Sequence, residues 1–170
     1  MLAATNDLEQ VVQKLNASQR PVLLIGGGVS RKTAQSIQQS MSDSGIPVMT
    51  TWNGADRIDA SHPQYLGRPN TWGQRAANLL MAQADVIVAV GTRLGMQQTG
   101  FNWREFVPHG EVVHIDIDKA ELEKGHPEVS ATICADAAST LKLLLQDQNL
   151  VPDWSSWRNH ARSVRENLPL

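Results

Sequence analysis

The chain has 170 residues, with 15 Lys and Arg residues against 17 Asp and Glu residues and a formal net charge of -2. This length fits one domain of ordinary size. The near balance of charge excludes a strong field, so we expect no nucleic-acid or membrane partner. Cys134 is the single cysteine, which excludes an internal disulfide framework and a thiolate zinc cluster and favours the reducing cytoplasm. The sequence shows neither a secretory signal nor a stretch of roughly 20 apolar residues that could span a bilayer.

Short apolar runs rich in β-branched residues predict the strands of the fold. The three clearest runs are Val22–Ile25, Val86–Val90 and Val112–Ile115. They lack strict alternation, which is typical of strands covered on both faces in a parallel sheet. Weaker runs predict further strands at Ile46–Thr51, at Ala131–Cys134 and, on an edge, at Gln64–Gly67.

Helical patterns alternate with these strands. Ser30 can cap a helix over about residues 31–44, and two further helices are predicted over about 73–83 and 137–146. Alternation of strand and helix indicates parallel strands joined by right-handed crossovers. We therefore predict an α/β fold, a Rossmann-like (DHS-like) three-layer domain. Its six-stranded, mainly parallel sheet should have the order 3-2-1-4-5-6, with helices on both faces.

The end of the chain follows a different pattern. Apolar residues recur at spacings of three and four through Trp154, Trp157, Ala161 and Val164, which predicts an amphipathic helix. This helix can fold back on its own domain or mark the place where a following domain docks. We accordingly divide the chain into a compact domain, residues 1–148, and a linker with an amphipathic helix, residues 149–170.

A run of three glycines directly follows the first predicted strand. Gly26, Gly27 and Gly28 would let the backbone approach a ligand, and the helix that follows would present its N-terminus to an anion. The dinucleotide fingerprint G-x-G-x-x-G is incomplete, because Arg31 stands where its third glycine would be, and no acidic residue closes the second strand. An ordinary NAD dehydrogenase is therefore disfavoured. A glycine turn without any ligand remains an alternative.

Polar residues follow three later strands. Arg93 comes just after the fourth strand and Asp116 ends the next, while Asp136 follows the last and is also a candidate helix N-cap. Carboxyl ends of parallel strands share one edge, so these loops should converge with the glycines on one crevice. The histidines show no metal-binding spacing, and neither a nucleophile elbow nor a P-loop lysine motif is present. We expect no catalytic residue and no metal ligand in this chain.

Six motifs, taken in order, resemble the central domain of thiamine-diphosphate enzymes of the acetolactate synthase and pyruvate oxidase group. The resemblance covers about residues 8–146. The motifs are Arg20–Val29, Gly45–Thr51, His62–Gly67, Gly73–Asn78, Ala84–Leu94 and His114–Glu121.

The resemblance implies a three-domain subunit that acts on 2-keto acids as a transferase or lyase. Thiamine diphosphate and Mg²⁺ would lie between the two outer domains, and the diphosphate-binding domain would carry a Gly-Asp-Gly motif that this chain lacks. We therefore expect the isolated chain to be inactive. Its partners would be the other two domains of the same polypeptide, in a homodimer or tetramer. Residues 149–170 would lead towards the absent diphosphate-binding domain.

The resemblance also implies a nucleotide pocket, which in relatives holds FAD, an adenine nucleotide such as ADP, or nothing. The glycine run would face the FAD diphosphate and ribityl chain, the end of the second strand would lie beside the cofactor, and two later loops would border the adenosine half. The implied cofactor-binding residues are Gly26, Gly27, Gly28, Thr51, Trp52, Arg93, Asp116, Ile117, Asp136 and Ala137.

Two segments depart from the synthase pattern. Thr71-Trp72-Gly73 stands where the pattern Gly-Met-His-Gly has its histidine, and 93–97 replaces an Arg-Phe-Asp-Asp-Arg segment. These changes remove hydrogen-bonding groups from the flavin side of the pocket. FAD, an adenine nucleotide and an empty scaffold therefore all stay open. A free-standing nucleotide-binding or regulatory module is the alternative from another functional class.

Overall fold

The computed structural model describes residues 2–151 and 153–168. Six strands form one sheet in the order β3-β2-β1-β4-β5-β6, and every neighbouring pair is parallel. This confirms the predicted fold class and strand order. The strands are β1 (Pro21–Ile25), β2 (Val48–Thr50), β3 (Tyr65–Gly67), β4 (Val86–Val90), β5 (Glu111–Asp116) and β6 (Ala131–Cys134).

Helices cover both faces of the sheet. The α-helices are α1 (Thr5–Ala17), α2 (Arg31–Ser36), α3 (Gln38–Ser44), α4 (Arg75–Gln83), α5 (Met96–Thr99), α6 (Lys119–Leu122), α7 (Ala137–Leu145) and α8 (Ser155–Asn167). Within the described residues, none of these helices has the length and apolar character needed to cross a membrane.

Two apolar cores lie on opposite faces of the sheet. All five residues of β1 are buried, and residues 22–25 alternate between the cores. Leu23 and Ile25 join the core that α1, α3 and α7 cover, whereas Val22 and Leu24 join the core under α4 and α8. Burial on both faces explains why the central strands appear in the sequence as continuous apolar runs.

The helix predicted over 31–44 is interrupted at Ile37. This residue leaves the helical conformation, with φ -109° and ψ 3°, and its side chain is buried. The Gln38 side-chain amide donates to the Ala34 carbonyl oxygen at 2.7 Å. In a continuous helix, that oxygen would instead accept the backbone N–H of Gln38. The result is two short helices, and α2 has only six residues.

The C-terminal helix α8 folds back on its own domain, one of the two arrangements that the sequence left open. Trp154 and Trp157 are 2% and 4% exposed. Their indole N–H groups donate to the carbonyl oxygens of Ser18 and Pro21 at 3.2 and 3.1 Å, beside the start of β1. That residues 149–170 also lead to another domain stays a prediction.

The packing of α8 predicts that Trp157→Ala lowers the free energy of unfolding by about 3–5 kcal/mol, because it removes a buried aromatic side chain and leaves a cavity. The control is Phe101→Ala, since Phe101 is 75% exposed and its loss should cost no more than about 0.5 kcal/mol. Urea denaturation measures both. Equal effects of the two variants would contradict the docking of α8.

Candidate functional site

A cleft of about 730 Å³ opens at the carboxyl ends of the strands. It lies where the strand order reverses between β1 and β4, which is where open α/β sheets place their ligands. Its volume is within the range of small-molecule sites, about 300–1,000 Å³. The lining residues are Gly27, Gly28, Thr51, Trp52, Asn53, Asn70, Trp72, Gly91, Thr92, Arg93, Leu94, Gly95, Met96, Gln97, Gln98 and Asp116.

The floor of the cleft is a contact between two glycine turns. The Gly28 N–H donates to the Gly91 carbonyl oxygen at 2.9 Å, so the loop after β1 rests on the loop after β4. A Cβ atom on Gly26 would lie 2.2 Å from that same oxygen. Gly91 itself has φ +61°, a conformation that favours glycine. The glycine run is therefore required by backbone packing, whether or not a ligand binds.

Arg57 supports the glycine loop from behind. Its side chain is almost fully buried, and its guanidinium donates to the carbonyl oxygens of Val29 and, at 3.4 Å, Gly27. Asp56 pairs with the same guanidinium and also with Arg31. The hydrogen bond from Arg31 is the largest cause of the lowered pKa of Asp56. Sequence reasoning missed Arg57, because no local pattern reveals which loop it contacts.

His114 holds the opposite loop in place. Its Nε2 atom lies 2.6 Å from the Thr92 carbonyl oxygen, and the ring is 2% exposed. Burial is the main cause that lowers the pKa of His114, so the neutral ring is favoured in the folded protein. In that state Nε2 carries the hydrogen and donates it to Thr92.

The two charged residues of the rim differ in exposure. The Arg93 side chain is 78% exposed, and its Nε atom lies 3.8 Å from a Glu121 oxygen, so its guanidinium remains accessible from the cleft. Asp116 is nearly buried at the end of β5, and its Oδ1 atom accepts the Asp118 backbone N–H at 3.0 Å. Its second oxygen can still accept hydrogen bonds from a ligand.

Another wall of the cleft is formed where the segment after β3 contacts α5. The Thr71 N–H donates to the Gln97 carbonyl oxygen at 2.9 Å, and the Gln98 amide donates to the Pro69 carbonyl oxygen at 2.8 Å. Two exposed indoles, those of Trp52 and Trp72, also line the cleft. Sequence reasoning placed Trp52 and residues 71–73 and 93–97 at the pocket, but it missed Asn70 and the hydrogen bonds that join these two segments.

Six of the predicted cofactor-binding residues line the cleft: Gly27, Gly28, Thr51, Trp52, Arg93 and Asp116. The structure thus brings together three of the loops that were expected to converge, whereas the loop after β6 contributes no residue to the cleft lining. That these residues bind a cofactor stays a prediction.

The other four predicted residues have different positions. Gly26 lies beneath the cleft floor, and the Ala137 Cβ atom lies 3.0 Å from the position a Cβ on Gly91 would take. Asp136 caps α7 by accepting the Ser139 N–H at 2.8 Å, and the hydrogen bonds from Ser139 lower its pKa. The side chain of Ile117 is 61% exposed. These residues support or flank the crevice.

Acidic, histidine and cysteine side chains do not gather into a metal site anywhere within residues 2–151 and 153–168.

Fold and cleft together define a doubly wound α/β domain with a cleft at the switch point of its sheet. Residues 8–144 match the family described as "Thiamine pyrophosphate enzyme, central domain", and the chain belongs to that family. It is 31% identical over 161 residues to the acetolactate synthase isozyme 2 large subunit of Escherichia coli K12, a match that covers 94% of this chain and 28% of that protein.

Plant and mycobacterial proteins give similar matches. The chain is 35% identical to acetolactate synthase 1, chloroplastic, of Oryza sativa subsp. japonica, over 98% of its own length and 26% of the rice protein. It is 30% identical to an acetolactate synthase of Mycobacterium bovis, over 98% of its own length and 28% of that protein. The chain therefore spans about a quarter of the length of the curated relatives that it matches.

From the packing of the cleft floor, we predict that Gly26→Ala lowers the free energy of unfolding by about 3 kcal/mol or more. The new Cβ would meet backbone atoms of Gly91, which cannot rotate away. Gly95→Ala is the matched control, since Gly95 lies on the same rim and a Cβ atom added there would have nothing within 4 Å. We expect it to change stability by less than about 0.5 kcal/mol in urea denaturation. A tolerated Gly26→Ala would show that the two loops do not touch.

Burial of His114 predicts a dependence of stability on pH. Its folded-state pKa lies below its unfolded value of about 6.5, so the unfolded chain binds the proton first and stability falls as the pH drops below about 6.5. The slope is at most about 1.4 kcal/mol per pH unit. His114→Gln, which keeps a donor for Thr92, should reduce this slope between about pH 7.5 and 5. An unchanged slope would mean that His114 does not contribute.

Proposed function

We propose that this chain is the central domain of an acetolactate-synthase-like enzyme that acts on 2-keto acids with thiamine diphosphate and Mg²⁺. Its match along nearly its whole length to proteins named acetolactate synthase supports this proposal. The other two domains of the subunit would bind the thiamine cofactor and perform the chemistry. The central domain would contribute structure and a nucleotide site.

The cleft is proposed to bind FAD or an adenine nucleotide such as ADP. The observation that carries this proposal is the glycine floor at the switch point of the sheet, where backbone can come close to a diphosphate. Gly27 and Gly28 would face the diphosphate. Asp116 would accept a hydrogen bond from the ribose or the adenine amino group, and Arg93 would pair with a phosphate or lie along a ring.

The described residues fit such a nucleotide better than they fit thiamine diphosphate with its metal. The cleft combines a glycine floor, one accessible cation, one nearly buried carboxylate and two exposed indoles. Indole faces suit flat heteroaromatic rings. The diphosphate of thiamine diphosphate is held through Mg²⁺, for which the described residues offer no group of ligands.

Assembly and location belong to the same proposal. We propose a cytoplasmic homodimer or tetramer in which this domain packs on the other two domains of its polypeptide. Met96 on the cleft wall and Phe101 just after α5, 53% and 75% exposed, provide apolar surface for such packing. The isolated chain is expected to show no decarboxylation of pyruvate when thiamine diphosphate and Mg²⁺ are added.

Nucleotide binding predicts a rise in melting temperature when FAD or ADP is added to the purified chain. A ligand at about 100 times its Kd stabilises by about 2.7 kcal/mol, which for a chain of this size corresponds to about 5–10 °C. NAD at the same concentration is the control, because the dinucleotide fingerprint is incomplete. Differential scanning fluorimetry measures the shift. Absence of a shift with both FAD and ADP would leave the domain as a scaffold and overturn the nucleotide proposal.

A further inference from the structure

An exposed indole on the wall of the cleft rests on one cation. Trp52 is 58% exposed and lines the cleft. The guanidinium carbon of Arg68 lies over its ring, 5.6 Å from the ring centre, and cation–π attraction extends to about 6 Å. Arg68 is not among the residues that line the cleft. It therefore covers one face of the indole, and Trp52 presents its other face or its edge to the cleft.

The backbone is fixed on both sides of this contact. The Thr51 N–H donates to the Ile25 carbonyl oxygen at 3.0 Å, which continues the sheet up to Trp52. The Arg68 N–H donates to the side-chain oxygen of Gln74 at 2.9 Å, and the Arg68 carbonyl oxygen accepts the Gln74 backbone N–H at 3.0 Å. Rotation of its own side chain is therefore the main freedom left to the indole.

The Arg68 guanidinium forms no ion pair with an Asp or Glu side chain within residues 2–151 and 153–168. Its Nε atom is buried and has no acceptor in the same part of the chain. A partly buried cation without a counter-ion is unusual, since such charges are generally paired. The negative face of the Trp52 ring is the group that compensates this charge.

We propose that Arg68 is a positioning residue, which holds the indole of Trp52 as a stacking surface for a flat heteroaromatic ring of the bound ligand. An indole without this support would exchange between rotamers, and binding would have to fix it. Because Arg68 fixes it beforehand, the site is preorganised for stacking. This inference rests on the proposed nucleotide-binding function, and it adds the residue pair that recognises a ring.

The test is a double-mutant cycle in which isothermal titration calorimetry measures the binding of FAD and of ADP to the purified chain. We expect Trp52→Ala to lower the affinity for at least one of the two ligands about tenfold, because stacking on the indole is lost. Arg68→Ala should lower the same affinity about fivefold, as the loss of one cation–π contact would. In the Trp52→Ala background, Arg68→Ala should cause no further loss, since no indole remains to be positioned.

Two further variants control for charge and for general damage to the fold. Arg68→Lys keeps a cation beside the indole and should bind within about twofold of the unaltered chain. Arg75→Ala removes an equal charge from the exposed start of α4, and we expect it to change the affinity less than about twofold.

A measurement without ligand tests the contact itself. Arg68→Ala uncovers one face of the Trp52 indole, so acrylamide should quench tryptophan fluorescence more strongly than in the unaltered chain. In a Trp52→Phe background, the same substitution should leave the quenching of the other tryptophans unchanged. Equal quenching of Arg68→Ala and the unaltered chain would show that Arg68 does not cover the indole.

Three binding results would overturn the inference in distinguishable ways. If the unaltered chain binds neither FAD nor ADP, the nucleotide proposal fails and the stacking role fails with it. If the chain binds either ligand but Arg68→Ala binds it equally well, only the role of Arg68 is wrong. If Arg68→Ala weakens binding to the same extent with and without the Trp52 indole, the cation acts on the ligand directly and does not position the ring.

Discussion

The close approach of the loops after β1 and β4 is the constraint on which the site depends. The hydrogen-bond ladder of the sheet continues past the strand ends: Gly26 donates to the Val90 carbonyl oxygen, and Gly91 to that of Ile115, each at 2.9 Å. Three loops are thereby fixed side by side above the switch point. Side chains at Gly26 or Gly28 would push them apart, since either Cβ would lie within 3.0 Å of Gly91. The cleft exists because these positions carry none.

Much of this arrangement could be predicted from sequence because it is encoded locally. Buried strands appear as apolar runs, and alternation with helices imposes parallel pairing, which gathers all carboxyl ends at one edge. The positions of Gly27, Arg93 and Asp116 around one cleft follow from that topology without knowledge of any contact. For Asp136, by contrast, the sequence allowed two interpretations, a residue of the pocket or a helix N-cap. In the structure it is the N-cap of α7.

The remaining features depend on contacts between distant residues. Thr71 and Gln97 are 26 positions apart, and Gln98 and Pro69 are 29 apart, yet these pairs form the wall that contains Asn70. No periodicity marks such contacts. The break at Ile37 likewise reflects burial of one side chain in the core, and the docking of α8 depends on Trp154 and Trp157 meeting carbonyl oxygens beside β1. Sequence alone left these choices open.

The polar groups at the sheet edge divide into those that serve the fold and those that remain accessible. Asp118 and Asp136 cap helices, and His114 holds the loop after β4. Their hydrogen-bonding capacity is therefore committed to the protein itself, and the pKa of His114 is shifted by burial rather than by a reacting partner. Groups with capacity left over include Arg93 and Asp116, which are a cation and an acceptor. Both line the cleft, so they are suited to contact different parts of one ligand. That arrangement supports binding, rather than proton transfer between neighbouring groups, as the role proposed for this domain.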